Sequence, residues 1–282
     1  MDITPDIVLK AYATGIFPMA DSAGSDHLYW YDPDPRGVLP IAGFHVPRRL
    51  RKTLRGAPFT IRTDTAFEDV IDGCAEATPE RPETWINHAI RDMFIHLYKM
   101  GYAHSVETWQ DDRLVGGVYG LSLGGAFFGE SMFSRRTDAS KVALVHLVAR
   151  LWAGGYTLLD TQFVTDHLRQ FGALELPRDV YRQQLQQALA VDAVFIPAPA
   201  ENWLAGKWLA EKKLGGAADY SLPPSSPLPA ALASVSASSC STSACSASSG
   251  RDTSVSASAS SPSRLTEASL LSAFLQSITQ TS

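Results

Sequence analysis

The chain has 282 residues, of which 45% are hydrophobic and 10% aromatic, so it can bury one large core or two modest ones. Its net charge of -5 is too small to attract nucleic acid over the whole surface, so any RNA contact must come from a local patch. Three cysteines without zinc spacing indicate neither a disulfide framework nor a metal site. An acidic start and the lack of a long apolar run predict a cytoplasmic protein without a membrane partner.

The first part of the chain is predicted to be mainly helical. A short helix begins at Pro5 and stops at Gly15. Alternate prolines in segment 30–40 exclude helix and favour an extended loop. Apolar residues at helical spacing predict a helix over 63–77, and a second helix opens at Thr84.

From residue 103 onward the apolar period becomes that of strands. Three strands separated by polar and glycine turns, ending near residue 134, predict an antiparallel meander. Asp138 is predicted to cap a helix that ends at Gly154, and 156–163 to form a further strand, followed by two helices. This order predicts an α/β fold with a mixed sheet and helices on both faces, as in the N-acetyltransferase (GNAT) superfamily.

The C-terminal part has a different composition from the rest. Segment 234–263 is rich in Ser and Ala and has no large apolar side chains, so it cannot bury enough surface to fold. A tail over 216–282 is therefore predicted to be disordered. Apolar residues in 265–278 are spaced like one short amphipathic helix, which is open to interpretation as a transient helix, a docking peptide or a tail without function.

Eight sequence blocks resemble the leucyl/phenylalanyl-tRNA-protein transferase family. They are AYATGIFPM (11–19), WYDPDPRGVLP (30–40), TWI (84–86), AHSVETW (103–109), LVGGVYG (114–120), GESMFSR (129–135), DASK (138–141) and LLDTQFVTDHLRQFGA (158–173). The resemblance implies a smaller N-terminal domain, 1–62, and a GNAT-like domain, 63–200. It also implies transfer of Leu or Phe, less readily Met, from aminoacyl-tRNA to proteins with N-terminal Arg or Lys, which marks them for N-degron degradation. A monomer without a cofactor is expected.

Asp160 and Gln162 are the predicted catalytic pair. The expected reaction is attack of an α-amine on an activated ester, for which holding the two groups in attack geometry is the main requirement. Two residues apart on a strand, Asp160 and Gln162 share one face, and they match the family's D-x-Q motif. Gln162 is expected to position the amine through its carbonyl oxygen while Asp160 supplies orientation and negative potential. The alternative for the pair is that it merely ends a strand and caps the next helix. The alternative for the proton is its transfer through the leaving hydroxyl of the substrate.

Glu130 is the third predicted catalytic residue. It lies among Phe127, Phe128, Met132 and Phe133, where a buried carboxylate is costly unless it meets a cation or hydrogen-bond donors. A substrate ammonium, either the aminoacyl amine or the acceptor's N-terminal Arg or Lys, would meet that need. An internal ion pair with Arg135 or Arg136 is the alternative.

Five positions align with substrate-binding positions of the family. Val118, Met132 and Leu159 are implied to line an apolar pocket for the donor side chain, although ordinary core positions would show the same residue types. Trp85 matches a tryptophan that stacks on the terminal adenosine, a contact worth about 1–3 kcal/mol. Met19 departs from the family, whose usual form is GIFPW, so the adenine is expected to be held there either by a thioether or more loosely.

A cationic run predicts the tRNA-binding surface. Arg48, Arg49, Arg51, Lys52 and Arg55 place five cations in eight residues without an acid, which favours binding to phosphate rather than to bases. A solvated protein face is the alternative interpretation.

Three other functional classes are less well supported. A CoA-dependent acetyltransferase needs a glycine-rich pyrophosphate turn, where this chain has SRRTDASK. A serine hydrolase lacks the second glycine of a nucleophile elbow after Ser131. A tRNA-binding module without enzymatic activity has no reason to place Asp160 beside Gln162.

Overall fold

The computed structural model describes residues 3–78, 82–195 and 267–280. The helices are α1 (Pro5–Ala13), α2 (Arg48–Gly56), α3 (Phe67–Ala75), α4 (His88–Lys99), α5 (Ala139–Gly154), α6 (Asp166–Arg169), α7 (Arg178–Leu189) and α8 (Glu267–Gln280). The strands are β1 (Phe17–Ala20), β2 (Leu28–Tyr31), β3 (Arg36–Val38), β4 (Thr60–Thr63), β5 (Ala103–Gln110), β6 (Arg113–Leu123), β7 (Ala126–Ser134), β8 (Leu158–Gln162) and β9 (Leu174–Leu176).

A seven-stranded mixed sheet forms the centre of the fold, in the order β4-β5-β6-β7-β8-β3-β9. Strands β4 to β7 are an antiparallel meander, and β7 pairs with β8 in parallel. A parallel neighbour requires a crossover connection, which the 16-residue helix α5 provides. Strands β1 and β2 form a separate two-stranded antiparallel ribbon.

Helices cover both faces of the sheet. On one face, α5 packs with Leu50 and Leu54 of α2 and with apolar residues of α8. On the other face, α1, α3, α4 and α7 form a second apolar cluster. The predicted α/β architecture with a mixed sheet and helices on both faces is therefore confirmed at this level.

The helix that precedes β5 begins later than predicted. The side chain of Thr84 forms a local turn, in which its Oγ1 accepts a hydrogen bond from the Ile86 N–H at 3.2 Å. Asn87 has extended backbone angles and accepts a bond from the Ile90 N–H at 2.9 Å, so it is the N-cap of α4. The prediction that Thr84 opens this helix is wrong, and Trp85 lies in the loop before α4.

The predicted side-chain cap of α5 is also wrong. Asp138 has a left-handed backbone with φ 64°, and its side chain makes no cap hydrogen bond. Its carboxylate instead accepts a bond from Thr53 at 3.2 Å and pairs with Lys141 at 3.3 Å. Ser134 supplies the cap, because its hydroxyl accepts a bond from the Ser140 N–H at 3.2 Å.

Several strands were missing from the sequence prediction. The proline-rich segment 30–40 was expected to be an extended loop, yet it contains the end of β2 and all of β3. Strand β3 pairs on both sides, with β8 and with β9. It is only three residues long, too short for a periodicity to show.

The segments assigned to separate domains both contribute to the main sheet. Strand β3 and all but the last residue of β4 come from residues 1–62, and the other five strands come from residues after 63. The division at residue 62 stays a prediction. Most of the predicted tail, namely 216–266 and 281–282, lies outside the described residues, as do residues 196–215. Among the helices that the structure describes, none has the length and apolar character needed to cross a bilayer.

Candidate active site

A cavity of about 890 Å³ opens between the β1–β2 ribbon, β7 and the end of β8. Its lining combines polar and apolar residues, as in sites that bind a small molecule. Seven of the predicted site residues contribute to the lining, namely Met19, Trp85, Val118, Glu130, Met132, Leu159 and Gln162. The structure therefore brings together residues that are separated by up to 143 positions in the sequence.

Asp160 lies behind the cavity wall and is fully buried. Its carboxylate accepts bonds from Arg36 at both oxygens, from Nε to Oδ1 at 3.0 Å and from Nη2 to Oδ2 at 2.6 Å. The Tyr181 hydroxyl donates a further bond at 2.6 Å. A bidentate pair with extra donors is the arrangement that offsets the cost of burying a carboxylate. Asp160 is therefore an internal anchor and is not itself exposed to the cavity.

Arg36 is held as firmly as its partner. Its guanidinium carbon lies 4.7 Å from the ring centroid of Phe17 and 4.5 Å from that of Tyr181. Its remaining nitrogen, Nη1, donates to the Gly15 carbonyl at 2.7 Å. Burial and the adjacent Asp160 carboxylate together raise the pKa of Tyr181, which keeps this hydroxyl protonated as a donor. The contacts of Arg36 with Phe17, Asp160 and Tyr181 thus connect β3 to β1, β8 and α7.

Gln162 ends β8 in a left-handed conformation, with φ 58°. Its backbone N–H donates to Asp160 Oδ1 at 2.8 Å, so the carboxylate fixes the backbone of Gln162. Gly37 allows this turn, because a Cβ there would lie 2.6 Å from the carbonyl carbon of Phe163. The left-handed residue explains why Thr161 and Gln162 both line the cavity although they are neighbours on a strand.

The orientation of the Gln162 amide is set by two carbonyl groups. With its nitrogen towards the protein, the amide donates to Gly129 O at 2.9 Å and to Thr161 O at 3.0 Å. Both donor hydrogens are then used by the backbone. The amide oxygen is the atom that this arrangement offers to a ligand.

Glu130 lines the cavity and is only partly accessible. The Tyr12 hydroxyl donates to its Oε1 at 2.9 Å. Burial raises the pKa of Glu130 to about 8, despite the opposing effect of the Tyr12 bond. The alternative ion pair with Arg135 or Arg136 is wrong, because Glu130 pairs with neither among the described residues, and Arg135 pairs with Glu76 at 2.6 Å.

The predicted apolar positions divide into two groups. Val118 and Leu159 are buried and Met132 is partly buried, and together with Leu144 and Leu147 of α5 they form an apolar end. Trp85 and Met19 are neighbours at another part of the wall, since the Ala20 N–H donates to the Trp85 carbonyl at 3.3 Å. A flat indole and a thioether at one place suit a planar ring.

Sequence reasoning missed the groups that hold the catalytic candidates in place. Arg36, Tyr181 and Tyr12 were not named as site residues, although Arg36 lies within the quoted block WYDPDPRGVLP. It also missed Thr161 Oγ1 and His167 Nε2, which line the cavity and are buried without a hydrogen-bond partner among the described residues. A charged residue between prolines and an extended Gly-Val pair was the available signal for Arg36.

The predicted tRNA-binding residues lie on α2. Arg48, Arg49, Lys52 and Arg55 are exposed. Arg51 is half-buried and donates from Nε to the Val46 carbonyl at 2.9 Å, so it holds the start of this helix. Thr53 joins α2 to Asp138, which precedes α5. Four of the five cations are therefore available to a ligand.

Comparison with known proteins identifies the family. The sequence model of the leucyl/phenylalanyl-tRNA protein transferase family matches residues 38–186, and the family model of the N-terminal domain of these proteins matches residues 1–34. A leucyl/phenylalanyl-tRNA–protein transferase of Paramagnetospirillum magneticum is 63% identical over 193 residues, which cover 68% of this chain and 92% of that protein. Proteins of the same name from Phenylobacterium zucineum and Rhodopseudomonas palustris are 60% identical over 188 residues (67% of this chain, 85% of that protein) and 58% identical over 205 residues (73% and 89%). The chain therefore belongs to the leucyl/phenylalanyl-tRNA–protein transferase family of aminoacyltransferases.

Proposed function

We propose that this chain transfers Leu or Phe, and less readily Met, from aminoacyl-tRNA to the α-amine of proteins that begin with Arg or Lys. The acceptors are thereby marked for N-degron degradation in the cytoplasm, and the enzyme acts as a monomer without a cofactor. The supporting observation is one cavity that joins an apolar end to Trp85, Glu130 and Gln162.

The donor is proposed to bind with its two halves in different parts of the cavity. The Leu or Phe side chain enters the apolar end at Val118, Met132 and Leu159, which excludes charged side chains because their desolvation is costly. The terminal adenosine stacks on Trp85 and Met19. Such a pocket discriminates poorly between similar hydrophobic side chains, which agrees with a donor set that includes Leu, Phe and Met.

The reaction is proposed to be aminolysis of the aminoacyl ester. The acceptor nitrogen attacks the carbonyl carbon, the C–O bond to the ribose breaks, and the hydroxyl of the tRNA leaves with a proton taken from the amine. Gln162 accepts a hydrogen bond from the amine through its amide oxygen and holds it in attack geometry. Asp160 acts by fixing the backbone of Gln162.

Glu130 is proposed to bind the ammonium of a substrate. Its pKa of about 8 is close to the usual value of an α-amine, about 8. A cation placed beside this carboxyl group favours the ionised form, so binding would release a proton and create the ion pair within the cavity.

Two further assignments belong to the same proposal. The exposed cations of α2 bind the phosphates of the tRNA acceptor stem. The sheet is proposed to be of the GNAT type, on the grounds that a meander passes into a parallel pair through the crossover helix α5.

The test is direct. Purified protein is mixed with tRNA charged with radiolabelled leucine and with an Arg-initiated protein, and the label is sought at the acceptor's N-terminus by Edman degradation. Transfer is expected from wild type and from the exposed-site control Tyr102→Phe, but at least about a hundredfold more slowly from Gln162→Ala. Donor that stays on the tRNA with every acceptor would overturn the proposed function.

A further inference from the structure

An exposed aromatic surface continues the cavity wall outward along the β1–β2 ribbon. In this ribbon Phe17 pairs with Tyr31 and Met19 pairs with Tyr29. Paired residues of antiparallel strands lie on the same face, so all four side chains share one face of the ribbon. Phe17 and Met19 line the cavity. Tyr29 and Tyr31 are 46% and 36% exposed and lie immediately outside it. We call Tyr29, Tyr31 and Asp21 the aromatic shelf.

The aromatic shelf is connected to the catalytic end of the cavity. The ring of Tyr31 stacks on Phe17, with centroids 6.0 Å apart and planes at 21°. Phe17 in turn meets Phe163 edge-on at 6.1 Å. Phe163 directly follows Gln162 and is 46% exposed, although it also lines the cavity. A chain lying on the shelf would therefore lead to the atoms that hold the attacking amine.

The charge of this segment favours a cation. Residues 11–35 contain four aspartates and no Lys or Arg. Asp32 and Asp34 are paired with Arg178 and Arg182 of α7. Asp21 and Asp26 are exposed and have no Lys or Arg partner among the described residues. Asp21 accepts a hydrogen bond from the Tyr29 hydroxyl, which places a carboxylate at the edge of the aromatic surface.

We infer that the aromatic shelf is the subsite for the cationic first side chain of the acceptor protein. Guanidinium and ammonium groups bind over aromatic faces, and the nearby carboxylate of Asp21 completes the attraction. Bases of the single-stranded tRNA end would also stack on tyrosine, but their phosphates would be repelled by Asp21 and Asp26. The two substrates then approach from surfaces of opposite charge, the tRNA over the cations of α2 and the acceptor over the shelf. This inference rests on the proposed function.

The first experiment measures binding without catalysis. A short peptide with N-terminal Arg, labelled at its C-terminus, is titrated with the full chain, and the same peptide with citrulline in place of Arg removes the charge at equal size. Wild type should prefer the Arg peptide. Asp21→Asn and Tyr29→Leu should each weaken binding of the Arg peptide about two- to fivefold and leave the citrulline peptide unaffected. Equal binding of both peptides by wild type would overturn the inference.

The second experiment separates acceptor from donor. In steady-state transfer, the same two variants should raise the KM for the Arg peptide and leave both kcat and the KM for Leu-tRNA within about twofold. Trp30→Leu is the matched control, since Trp30 is 44% exposed on the opposite face of β2, and it should change neither KM. If the KM for Leu-tRNA rises instead, the aromatic shelf binds the 3′ end of the tRNA, and the inference is wrong. Failure of wild type to transfer label at all would refute the proposed function itself.

Discussion

Glu130 is a residue whose ordinary chemistry is changed by its surroundings. Burial raises its pKa to about 8, so the folded protein keeps a proton that the unfolded chain releases near 4.5. The folded state therefore binds more protons than the unfolded state across that interval. The contribution of this group to the unfolding free energy is therefore fully present below about pH 4.5, and it is lost as the pH rises towards 8.

A Glu130→Gln variant tests this pH dependence. The variant cannot ionise at this position. The amount by which its unfolding free energy exceeds that of wild type should therefore grow by about 1–3 kcal/mol as the pH rises from 5 to 8. Urea unfolding at intervals of pH measures the difference. Glu175→Gln, at an exposed position of β9, is the control and should follow the wild-type curve. If the Glu130→Gln curve also runs parallel to wild type, the carboxyl group is not desolvated in solution.

The Tyr181 hydroxyl is predicted to be a positioning group for Asp160. Tyr181→Phe keeps the ring beside Arg36 but removes the 2.6 Å bond to the carboxylate. The unfolding free energy should fall by about 1–3 kcal/mol, because a buried charge loses a donor. Since Asp160 fixes the backbone of Gln162, kcat should fall more than the KM for either substrate changes.

The control for Tyr181 is Tyr102→Phe, which removes an exposed hydroxyl and should leave both quantities unchanged. Loss of stability with wild-type kcat would show that the hydroxyl matters only for the fold. Unchanged stability would show that Arg36 alone is enough to hold Asp160.

The sequence indicated which residues meet at the site but not how they are held. The predictions for the cavity followed from residue types within recognisable blocks, and seven of those residues line it. Arg36 lies 124 residues before Asp160, so no local pattern links the two. Gln162 was expected to continue the alternation of a strand, whereas its positive φ depends on the fit between Gly37 and Phe163. Such fits are tertiary and leave no period in the sequence.

At the scale of elements, helix α2 presents a cationic surface, but one of its cations, Arg51, also stabilises the start of the helix itself. Arg51 holds the Val46 carbonyl, so replacing it would disturb the helix and confuse a binding test. Lys52→Glu with Arg55→Glu instead changes only exposed positions. This double variant should weaken tRNA binding at low salt and reduce the slope of log K against log salt by about 2.

The control for α2 is a charge reversal of equal size elsewhere. Lys10→Glu with Arg113→Glu changes exposed cations of α1 and β6. Filter binding of Leu-tRNA over a range of salt concentrations should give this variant nearly the wild-type slope. If both double variants lose the same amount, only net charge matters and α2 is not the tRNA surface.

Long elements were predicted well, whereas the shortest strands were missed. The meander and α5 have long periodic patterns and clear glycine ends, such as Gly155 with φ 83°. Strand β3 is three residues long and β9 is equally short, so neither has a pattern to detect. The helix starts failed where two capping residues competed, as Thr84 and Asn87 did, because the choice depends on the surrounding loop.

At the scale of the whole molecule, α8 packs on α5 at the side of the sheet away from α1 and α4. Leu270, Phe274 and Ile278 are buried along one face of α8. Glu267 pairs with Arg150, which is fully buried. The family models end at residue 186, so α8 is additional to the part that they describe. It nonetheless covers a helix that lies at the centre of that part.

Phe274→Ala should loosen α8 from this position. The ring is fully buried between Phe44 and Trp152, with centroids 6.0 Å away from each, and its loss should cost about 3–5 kcal/mol of local stability. Opening of α8 also exposes Arg150 to water, which lowers the cost of separating it from Glu267. Faster hydrogen exchange throughout α8 is therefore expected, with a smaller increase in α5.

The matched control is Gln276→Ala, an exposed position on the same helix, which should exchange like wild type. No residue of α8 lines the cavity. Transfer by Phe274→Ala should therefore stay near the wild-type rate at temperatures where α5 remains folded. Equal hydrogen exchange of α8 in the two variants would mean that the aromatic contacts of Phe274 do not hold the helix in place. Loss of transfer while α5 stays folded would mean that α8 supports the active site by some means other than its packing on α5.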